Sequence, residues 1–145
     1  MGPERNEETV RRLVAAFNRN DLETVLDCFA PDAVLHEPYV AEPIAGTERL
    51  RDFHQVLFAA FPDETLAIEQ LISSGDWVVA RTIARGTQTG GFLGIPPTGR
   101  QFSVPECLVY ELREDGRIRN QWTYVDSGQI AEQLGYAFAP AADEA

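Results

Sequence analysis

The sequence predicts an α+β fold in which helices from the first half of the chain pack on a curved antiparallel or mixed β-sheet from the second half. Apolar residues recur at helical spacing before Pro62, and their period changes to about two after it, which is typical of strands. The strand segments follow one another through short turn sequences, as in hairpins. Helices that bury their apolar stripes on one face of such a sheet form a cone, and we expect the cone to enclose a pocket.

Three amphipathic segments define the predicted helices in the first half. The apolar stripes of the first two helices are Val10, Leu13, Val14 and Phe17, then Leu22, Val25, Leu26 and Phe29. Asn20 begins a capping-box pattern for the second helix. Residues 33–40 are a predicted strand interrupted by Pro38. Thr47 is predicted to cap the third helix, which ends before Pro62.

Four strands and a short last helix are predicted after Pro62. The strands cover residues 65–74, 77–88, 102–114 and 117–126, and the helix covers residues 127–135. Two connecting segments, 41–46 and 86–102, are predicted loops. The second contains five glycines and two adjacent prolines, yet Phe92, Leu93 and Ile95 at its centre are apolar.

Length and composition indicate one domain over residues 1–145. The chain is 44% hydrophobic and 24% charged, which is enough apolar content for a core. No apolar run approaches the ~18 residues of a membrane span, and the polar, acidic start does not resemble a secretory signal. We therefore expect a cytoplasmic protein, with residues 136–145 as a flexible tail.

The charge and the basic residues exclude several functions. The net charge is −11, so nucleic acids and anionic membranes are poor partners. All 12 basic residues are arginine, which removes lysine Schiff bases and phosphate-loop lysines. Cys28 and Cys107 are expected to be reduced packing residues, and with only two histidines we expect no metal site.

The hairpin at Glu114, Asp115 and Gly116 decides which side chains of the last two strands share a face. A three-residue turn with a glycine bulge pairs Arg113 with Arg117, so even-numbered residues oppose even-numbered ones. A two-residue turn would spoil the apolar face, so the bulged turn is preferred. The predicted pocket face carries Val104, Glu106, Leu108, Tyr110, Leu112, Ile118, Asn120, Trp122, Tyr124 and Asp126.

Two carboxylates, Glu106 and Asp126, lie on this predicted apolar face. Desolvation raises the pKa of such a carboxylate toward neutrality, which suits a general acid or base. A simpler role stays open for each. Asp126 would be the N-cap of the last helix, and Glu106 would be a surface residue beside Pro105.

The histidines and one arginine are further candidates. His36 lies on the short strand and His54 on the apolar stripe of the third helix. Each is either a hydrogen-bonded core histidine or a partner of the two carboxylates, since a packed core needs few buried polar groups. Arg81 pairs with a buried carboxylate, binds an anionic substrate group, or lies at an edge or interface.

Five stretches of the chain from Gly46 onward follow one another in an order typical of a known family. They are AAFPD (59–63), GDWVVARTIARGTQTGGFLGIPPTGR (75–100), DGRI (115–118), WTYVD (122–126) and QIAEQLG (129–135). Together they resemble the SnoaL-like polyketide cyclases of the NTF2-like superfamily. The GTxTGxFxGIPPTGR pattern is the most characteristic of them.

The resemblance implies an NTF2-like cone, a reaction without a cofactor, and commonly a homodimer formed through the sheet. It implies that the aspartate of the W-x-x-x-D strand, here Asp126, acts as general acid/base in an intramolecular aldol cyclisation, with Trp122 on the same face. The family often has an assisting histidine on the neighbouring strand, where the nearest candidate here is Glu106. The superfamily also contains isomerases, dehydratases, epoxide hydrolases and binding modules.

These arguments combine into one predicted site. Its catalytic candidates are Asp126, Glu106, His36 and His54, and its substrate-binding candidates are Trp122, Tyr124, Tyr110, Asn120, Phe92, Leu93, Ile95, Phe58 and Arg81. Asp126 would remove a proton next to a carbonyl of a bulky apolar polyketide-, steroid- or terpene-like substrate. A protonated Glu106 or a histidine would stabilise the enolate oxygen.

Alternatives for this pocket and its loop stay open. Isomerisation fits the same groups as aldol cyclisation. Asp126 and Glu106 would instead activate water for epoxide opening, with Arg81 orienting one carboxylate, or the pocket binds an apolar metabolite without catalysis. The apolar centre of the 86–102 loop either closes the mouth of the cone as a lid or packs on a partner subunit.

Overall fold

The computed structural model describes residues 2–136, so residues 137–145 of the predicted tail lie outside the described part. In chain order the elements are α1 (Pro3–Asn18), α2 (Leu22–Asp27), β1 (Phe29–His36), β2 (Ile44–Ala45), α3 (Thr47–Ala60), β3 (Thr65–Ser74), β4 (Trp77–Thr87), β5 (Gln101–Leu112), β6 (Ile118–Val125) and α4 (Ser127–Leu134). The predicted α+β arrangement, with three helices in the first half, is confirmed. Within the described range, no helix is long and apolar enough to cross a membrane.

One mixed sheet forms the body of the fold. Its six strands are ordered β2-β1-β6-β5-β4-β3, and only the β1–β6 pair is parallel among these neighbours. The helices bury their apolar stripes on one face, which the even-numbered residues of β4 and β5 supply. The buried residues of that face include Val78, Ala80, Ala84, Val104, Leu108 and Tyr110.

Several helix caps and strand boundaries up to the start of α3 differ from the prediction. Asp21, not Asn20, caps α2, and Asn20 instead adopts a positive φ of 56°. β1 begins at Phe29 because the chain enters the sheet directly after α2, and the predicted loop 41–46 contains the two residues of β2. Thr47 begins α3 without making a side-chain cap.

The β5–β6 hairpin has the predicted turn. The backbone N–H of Arg113 donates to the carbonyl of Arg117 at 2.8 Å. Gly116 adopts a φ of 85°, which the glycine position of a bulged three-residue turn requires.

The register of β6 changes immediately after this turn. Leu112 pairs with Ile118, but Glu111 pairs with Asn120. Arg119 is therefore an extra residue in β6, a second bulge that the sequence did not predict. Because side chains alternate along a strand, the odd-numbered residues of β6 beyond this bulge face the helices.

Candidate active site

A cavity of about 390 Å³ lies between the helices and the inner face of the sheet. Its volume lies within the ~300–1,000 Å³ range of small-molecule sites. Most lining residues are apolar and come from α1, α3, the 88–100 loop and α4. The polar lining residues are Glu37, Glu64, Glu106, His54, Tyr39, Tyr110, Tyr136, Gln88, Gln121, Thr123 and Ser127.

Glu106 projects from β5 onto the inner face, as predicted from its even number. Among the described residues, its carboxyl group has no hydrogen-bond partner, although its backbone carbonyl accepts a hydrogen bond from Thr82 at 2.9 Å. Burial, and then the nearby charge of Glu37, raises the pKa of Glu106 to about 8. At neutral pH this side chain is therefore mostly a protonated acid that can donate a hydrogen bond.

Glu37 follows the end of β1 and has a different environment. Its Oε2 accepts hydrogen bonds from the Thr123 hydroxyl at 2.5 Å and from Gln121 Nε2 at 3.4 Å. The pKa of Glu37 is raised, because burial outweighs these two hydrogen bonds and the charge of His36, all of which lower it. Glu37 is thus the cavity carboxylate whose ionised form receives direct support from hydrogen-bond donors.

Glu64 lies between α3 and β3 and is the most deeply buried of the cavity carboxyls. Burial, followed by the charges of Glu106 and Glu37, raises its pKa well above the ordinary range. Within the described part of the chain, the Glu64 carboxyl receives no hydrogen bond from protein. Burial therefore favours the protonated form of Glu64, as it does for Glu106.

His54 and Tyr110 add two neutral groups. His54 Nδ1 lies 2.8 Å from the carbonyl oxygen of Leu50, which only accepts, so Nδ1 carries the proton. Burial lowers the pKa of His54, which leaves Nε2 as a hydrogen-bond acceptor. Burial first, and the charges of Glu106 and Glu37 next, raise the pKa of Tyr110, which therefore keeps its phenolic proton.

Asp126 lies outside this cavity, contrary to its predicted inward orientation. Its Oδ1 accepts the backbone N–H of Gln129 at 3.0 Å, so Asp126 is the N-cap of α4. It lines a second cavity of about 340 Å³ together with Arg81 and Glu106, and Glu106 lines both cavities. Arg81 is exposed and donates to Gln70 Oε1 at 3.0 Å. Of the three roles left open for Arg81, pairing with a buried carboxylate is not observed among residues 2–136.

Four more predicted site residues lie on the outer face of the sheet. The His36 ring stacks on Trp122 with ring centres 4.8 Å apart, and His36 Nε2 lies 3.1 Å from Asn120 Oδ1. Tyr124 is 59% exposed. The predicted inward orientation of Asn120, Trp122 and Tyr124 is wrong, because the bulge at Arg119 reverses which side chains of β6 face the helices.

Of the four apolar residues predicted to contact substrate, three line the cavity. Phe92, Leu93 and Ile95 do so from the loop between β4 and β5. Phe92 is buried, whereas Leu93 and Ile95 are 46% and 38% exposed. Phe58 does not line the cavity but packs edge-on against Phe17, with ring centres 5.4 Å apart.

Sequence reasoning missed Glu37 and Glu64. Ala33 and Leu35 are fully buried on the inner face of β1, and their alternation continues to Glu37. Glu64 similarly precedes Leu66, a buried residue of β3. Extending each strand's alternation by one more step would have placed both acids in the cavity.

The whole-chain comparison agrees with this architecture. The sequence profile of the family described as SnoaL-like polyketide cyclase matches residues 7–134. The chain belongs to this family. The profile covers all but the ends of the described range, so membership of the SnoaL-like family applies to both the helices and the sheet.

Three SnoaL-like relatives illustrate the similarity. "Aklanonic acid methyl ester cyclase DnrD" of Streptomyces peucetius is 30% identical over 134 residues, which cover 88% of this chain and 89% of that protein. The crystal structure of wild-type IdmH, a putative polyketide cyclase from Streptomyces antibioticus, has a TM-score of 0.76 at 37% identity and covers 90% of this chain and 98% of IdmH. "Epoxide hydrolase LasB" of Streptomyces lasalocidi is 33% identical over 94% of this chain, which spans 47% of LasB.

These comparisons confirm the predicted family and fold. Solved NTF2-like and ketosteroid isomerase-like structures share the fold with TM-scores of 0.79 and 0.78. Three of the relatives are named as cyclases of aklanonic acid methyl ester, and the family is described as polyketide cyclases, so this chain belongs to a family of enzymes.

Proposed function

We propose that this SnoaL-like protein closes a ring in a polyketide-like carbonyl compound by acid/base chemistry, without a cofactor. The observation that supports this most directly is the contrast between two glutamates of one apolar cavity. Glu37 receives hydrogen bonds that favour its carboxylate form, whereas Glu106 has a pKa of about 8 and is mostly protonated at neutral pH. Two carboxyl groups whose environments separate their protonation states provide a base and an acid.

The ring closure uses these groups in turn. The Glu37 carboxylate removes a proton from the carbon next to one carbonyl. That carbon forms a bond to a second carbonyl carbon, whose C=O bond becomes a C–O⁻ bond. Glu106 or Glu64 donates its proton to this oxygen, and proton exchange with solvent restores the glutamates. The product has the mass of the substrate, and no water is consumed.

Asp126 does not take the predicted role of general acid/base in this proposal. Its carboxylate caps α4, and the residue is exposed and does not line the main cavity. His54 remains as an acceptor beside the reacting groups, and Tyr110 as a donor. His36 has no role here because it stacks on the outer face.

The test compares two substitutions with aklanonic acid methyl ester, the compound named for several relatives, as substrate. Glu106→Gln keeps the side-chain volume but removes the acid, and we expect turnover to fall by on the order of 10² or more. Asp126→Asn serves as the matched control and should retain turnover. Product of unchanged mass is measured by mass spectrometry. Full activity in Glu106→Gln, or loss of activity in a folded Asp126→Asn, would contradict the proposal.

Epoxide hydrolysis is the second candidate, supported by the similarity to LasB and by the cluster of cavity glutamates. Epoxide opening needs an acid on the epoxide oxygen and a base that deprotonates water, and Glu106 and Glu37 provide this pair. Reactions in oxygen-18 water separate the candidates. Hydrolysis incorporates the label into a new C–O bond, whereas aldol cyclisation adds no water.

We also propose a homodimer that forms through the outer face of the sheet. Exposed apolar residues gather on this face. Trp77 is 43% exposed, Ile72 is 50% exposed, and the Trp77 ring stacks on Trp122 at 5.6 Å. A contiguous aromatic surface of this kind is typical of an interface, and a second copy would cover it.

A further inference from the structure

The end of β1 carries two polar residues that face opposite sides of the sheet. His36 is the last residue of β1 and pairs with Trp122 of β6, whereas Glu37 follows it and lines the cavity. Because side chains alternate along a strand, contacts of His36 on the outer face lie directly behind those of Glu37 on the inner face. The same short piece of backbone therefore carries both sets of contacts.

The His36 ring is held on its face and at its edge. It lies nearly parallel to the Trp122 ring, with 6° between the ring planes and 4.8 Å between the ring centres. Asn120 Nδ2 donates to Glu111 Oε1 at 2.9 Å, so the amide oxygen of Asn120 faces His36. An amide oxygen only accepts, so His36 Nε2 carries the proton and donates across 3.1 Å. One ring thus fastens β1 to two residues of β6.

The donors to Glu37 come from the same stretch of β6. Gln121 and Thr123 flank Trp122 in sequence and line the cavity. Gln121 Nε2 donates to Thr123 Oγ1 at 3.2 Å, and the Thr123 hydroxyl donates onward to Glu37 Oε2. Linked hydrogen bonds of this kind strengthen one another, but only while β1 and β6 keep their register.

Backbone pairing does not hold Glu37 itself. Among the described residues, the pairing of β1 with β6 ends at His36 and Trp122, and Pro38 has no N–H to extend it. We propose that His36 is a positioning residue that holds Glu37 against its hydrogen-bond donors on β6. His36 takes no part in the chemistry itself, and this positioning role rests on the proposed function only in naming Glu37 as the base.

Other titratable groups surround Glu37 in the cavity. They are Tyr39, Glu64, Glu106 and Tyr110, on each of which the charge of Glu37 acts, together with His54 and Tyr136. Within residues 2–136, none of these groups is hydrogen-bonded to His36 or stacked on it. A positive charge on His36 also lowers the pKa of Glu37 directly, so a test must separate the ring from its charge.

Two substitutions at His36 make this separation. His36→Ala removes ring and charge, and we expect the pKa of Glu37 to rise by on the order of 1 as its hydrogen bonds loosen. His36→Phe keeps a flat ring on Trp122 and should raise this pKa by less than half as much. Carbon-13 NMR titration of the glutamate carboxyls measures the pKa, with the Glu37 signal assigned by its absence in Glu37→Gln. Equal rises in the two variants, or no rise in a folded His36→Ala, would overturn the proposal.

Val34→Ala is the matched control, because Val34 is another partly buried residue of β1 and pairs with Asn120. It should leave the pKa of Glu37 unchanged, and a rise equal to that in His36→Ala would reject a specific role for His36. Should His36→Ala fail to fold, Asn120→Ala removes the acceptor that orients the ring, and an unchanged Glu37 pKa there would count against the proposal.

A double-mutant cycle tests whether His36 acts through Thr123. His36→Ala should change the Glu37 pKa much less in a Thr123→Val background than in the wild type, and equal changes in both backgrounds would contradict the positioning role. Carboxyl titration needs no substrate. The expected shifts in a protein without cyclase activity would therefore reject the proposed function alone, and cyclase activity without the shifts would reject the positioning role alone.

Discussion

The Thr123 hydroxyl donates a hydrogen bond to Glu37 Oε2 at 2.5 Å across the β1–β6 boundary. This bond, together with that from Gln121 Nε2, gives the Glu37 carboxylate two donors within a mostly apolar cavity. The carboxyl group of Glu106, on the neighbouring strand β5, receives no hydrogen bond from the described residues. The two acids therefore differ in their hydrogen bonding although they share one cavity, and the following predictions test that difference and the surrounding fold.

Removing the Thr123 hydroxyl should raise the pKa of Glu37, the proposed base. Thr123→Val keeps the side-chain shape but deletes a hydrogen bond that stabilises the charged form of Glu37. The acidic limb of the pH profile of kcat/KM should shift to higher pH, so activity falls more at pH 6 than at pH 9. Thr82→Val, which deletes a hydroxyl bonded to the Glu106 backbone, is the control. An unchanged acidic limb in Thr123→Val would argue against Glu37 as the base.

Stability should fall as pH rises because of Glu106. Its pKa is about 8 in the folded protein, against about 4.3 for an unfolded glutamate. Above about pH 4.3 the unfolded chain loses this proton while the folded chain keeps it, so the free energy of unfolding decreases until about pH 8 and then levels off. Each unit of pKa difference contributes about 1.4 kcal/mol.

Glu106→Gln removes this contribution to the pH dependence. The free energy of unfolding of Glu106→Gln minus that of the wild type should therefore be larger at pH 9 than at pH 5, by at least ~1 kcal/mol. Urea unfolding followed by circular dichroism at both pH values measures the effect. Glu114→Gln should follow the wild-type curve. If Glu106→Gln and wild type declined in parallel, Glu106 would not be a protonated acid in the folded state.

Gly90 should tolerate no side chain. A Cβ there would lie 2.6 Å from the carbonyl oxygen of Ala59 at the end of α3, where the loop backbone is tied to the helix. Gly90→Ala should lower the free energy of unfolding by roughly 1–3 kcal/mol, as for other overpacked sites. At Gly91 the nearest atom is 3.5 Å away, so Gly91→Ala should cost less. Thermal unfolding of both variants checks the order, and equal losses would contradict the predicted contact.

A charge on the outer sheet face should dissociate the proposed dimer. Trp122→Glu inserts a carboxylate into the aromatic surface formed with Trp77, and we expect a shift from dimer to monomer in sedimentation velocity. Val56→Glu makes the same kind of change at a residue of α3 that is 42% exposed and should leave the dimer intact. A wild-type protein that sediments as a monomer at all concentrations would remove the homodimer from consideration.

Local patterns predicted the division into helices and strands because each element carries its own periodicity. The turn at Gly116 was also predicted from sequence, since its conformation depends on the turn residues themselves. The bulge at Arg119 has no comparable local signal. Ile118 is fully buried and its N–H donates to the carbonyl of Cys28, the C-cap of α2, at 2.9 Å, so a contact far away in sequence helps fix where β6 resumes its alternation.

The same long-range contacts explain which parts of the site were missed. Glu106 was placed correctly because β5 runs without interruption from the turn. Asp126 and Trp122 were misplaced because both lie beyond the bulge. Glu37 and Glu64 lie just beyond the ends of β1 and β3, so each is found only by continuing the alternation of buried residues past the strand itself.

The extra residue Arg119 thus determines which side chains of β6 face the cavity and which face outward. With Arg119 present, Gln121 and Thr123 face the cavity, and Trp122 and Tyr124 face outward. Deleting one residue at this point would exchange the two sets, giving the cavity an indole and a phenol and giving the outer face an amide and a hydroxyl. Within this fold, a single-codon insertion or deletion would therefore change both the cavity lining and the outer face of the proposed dimer in one evolutionary step.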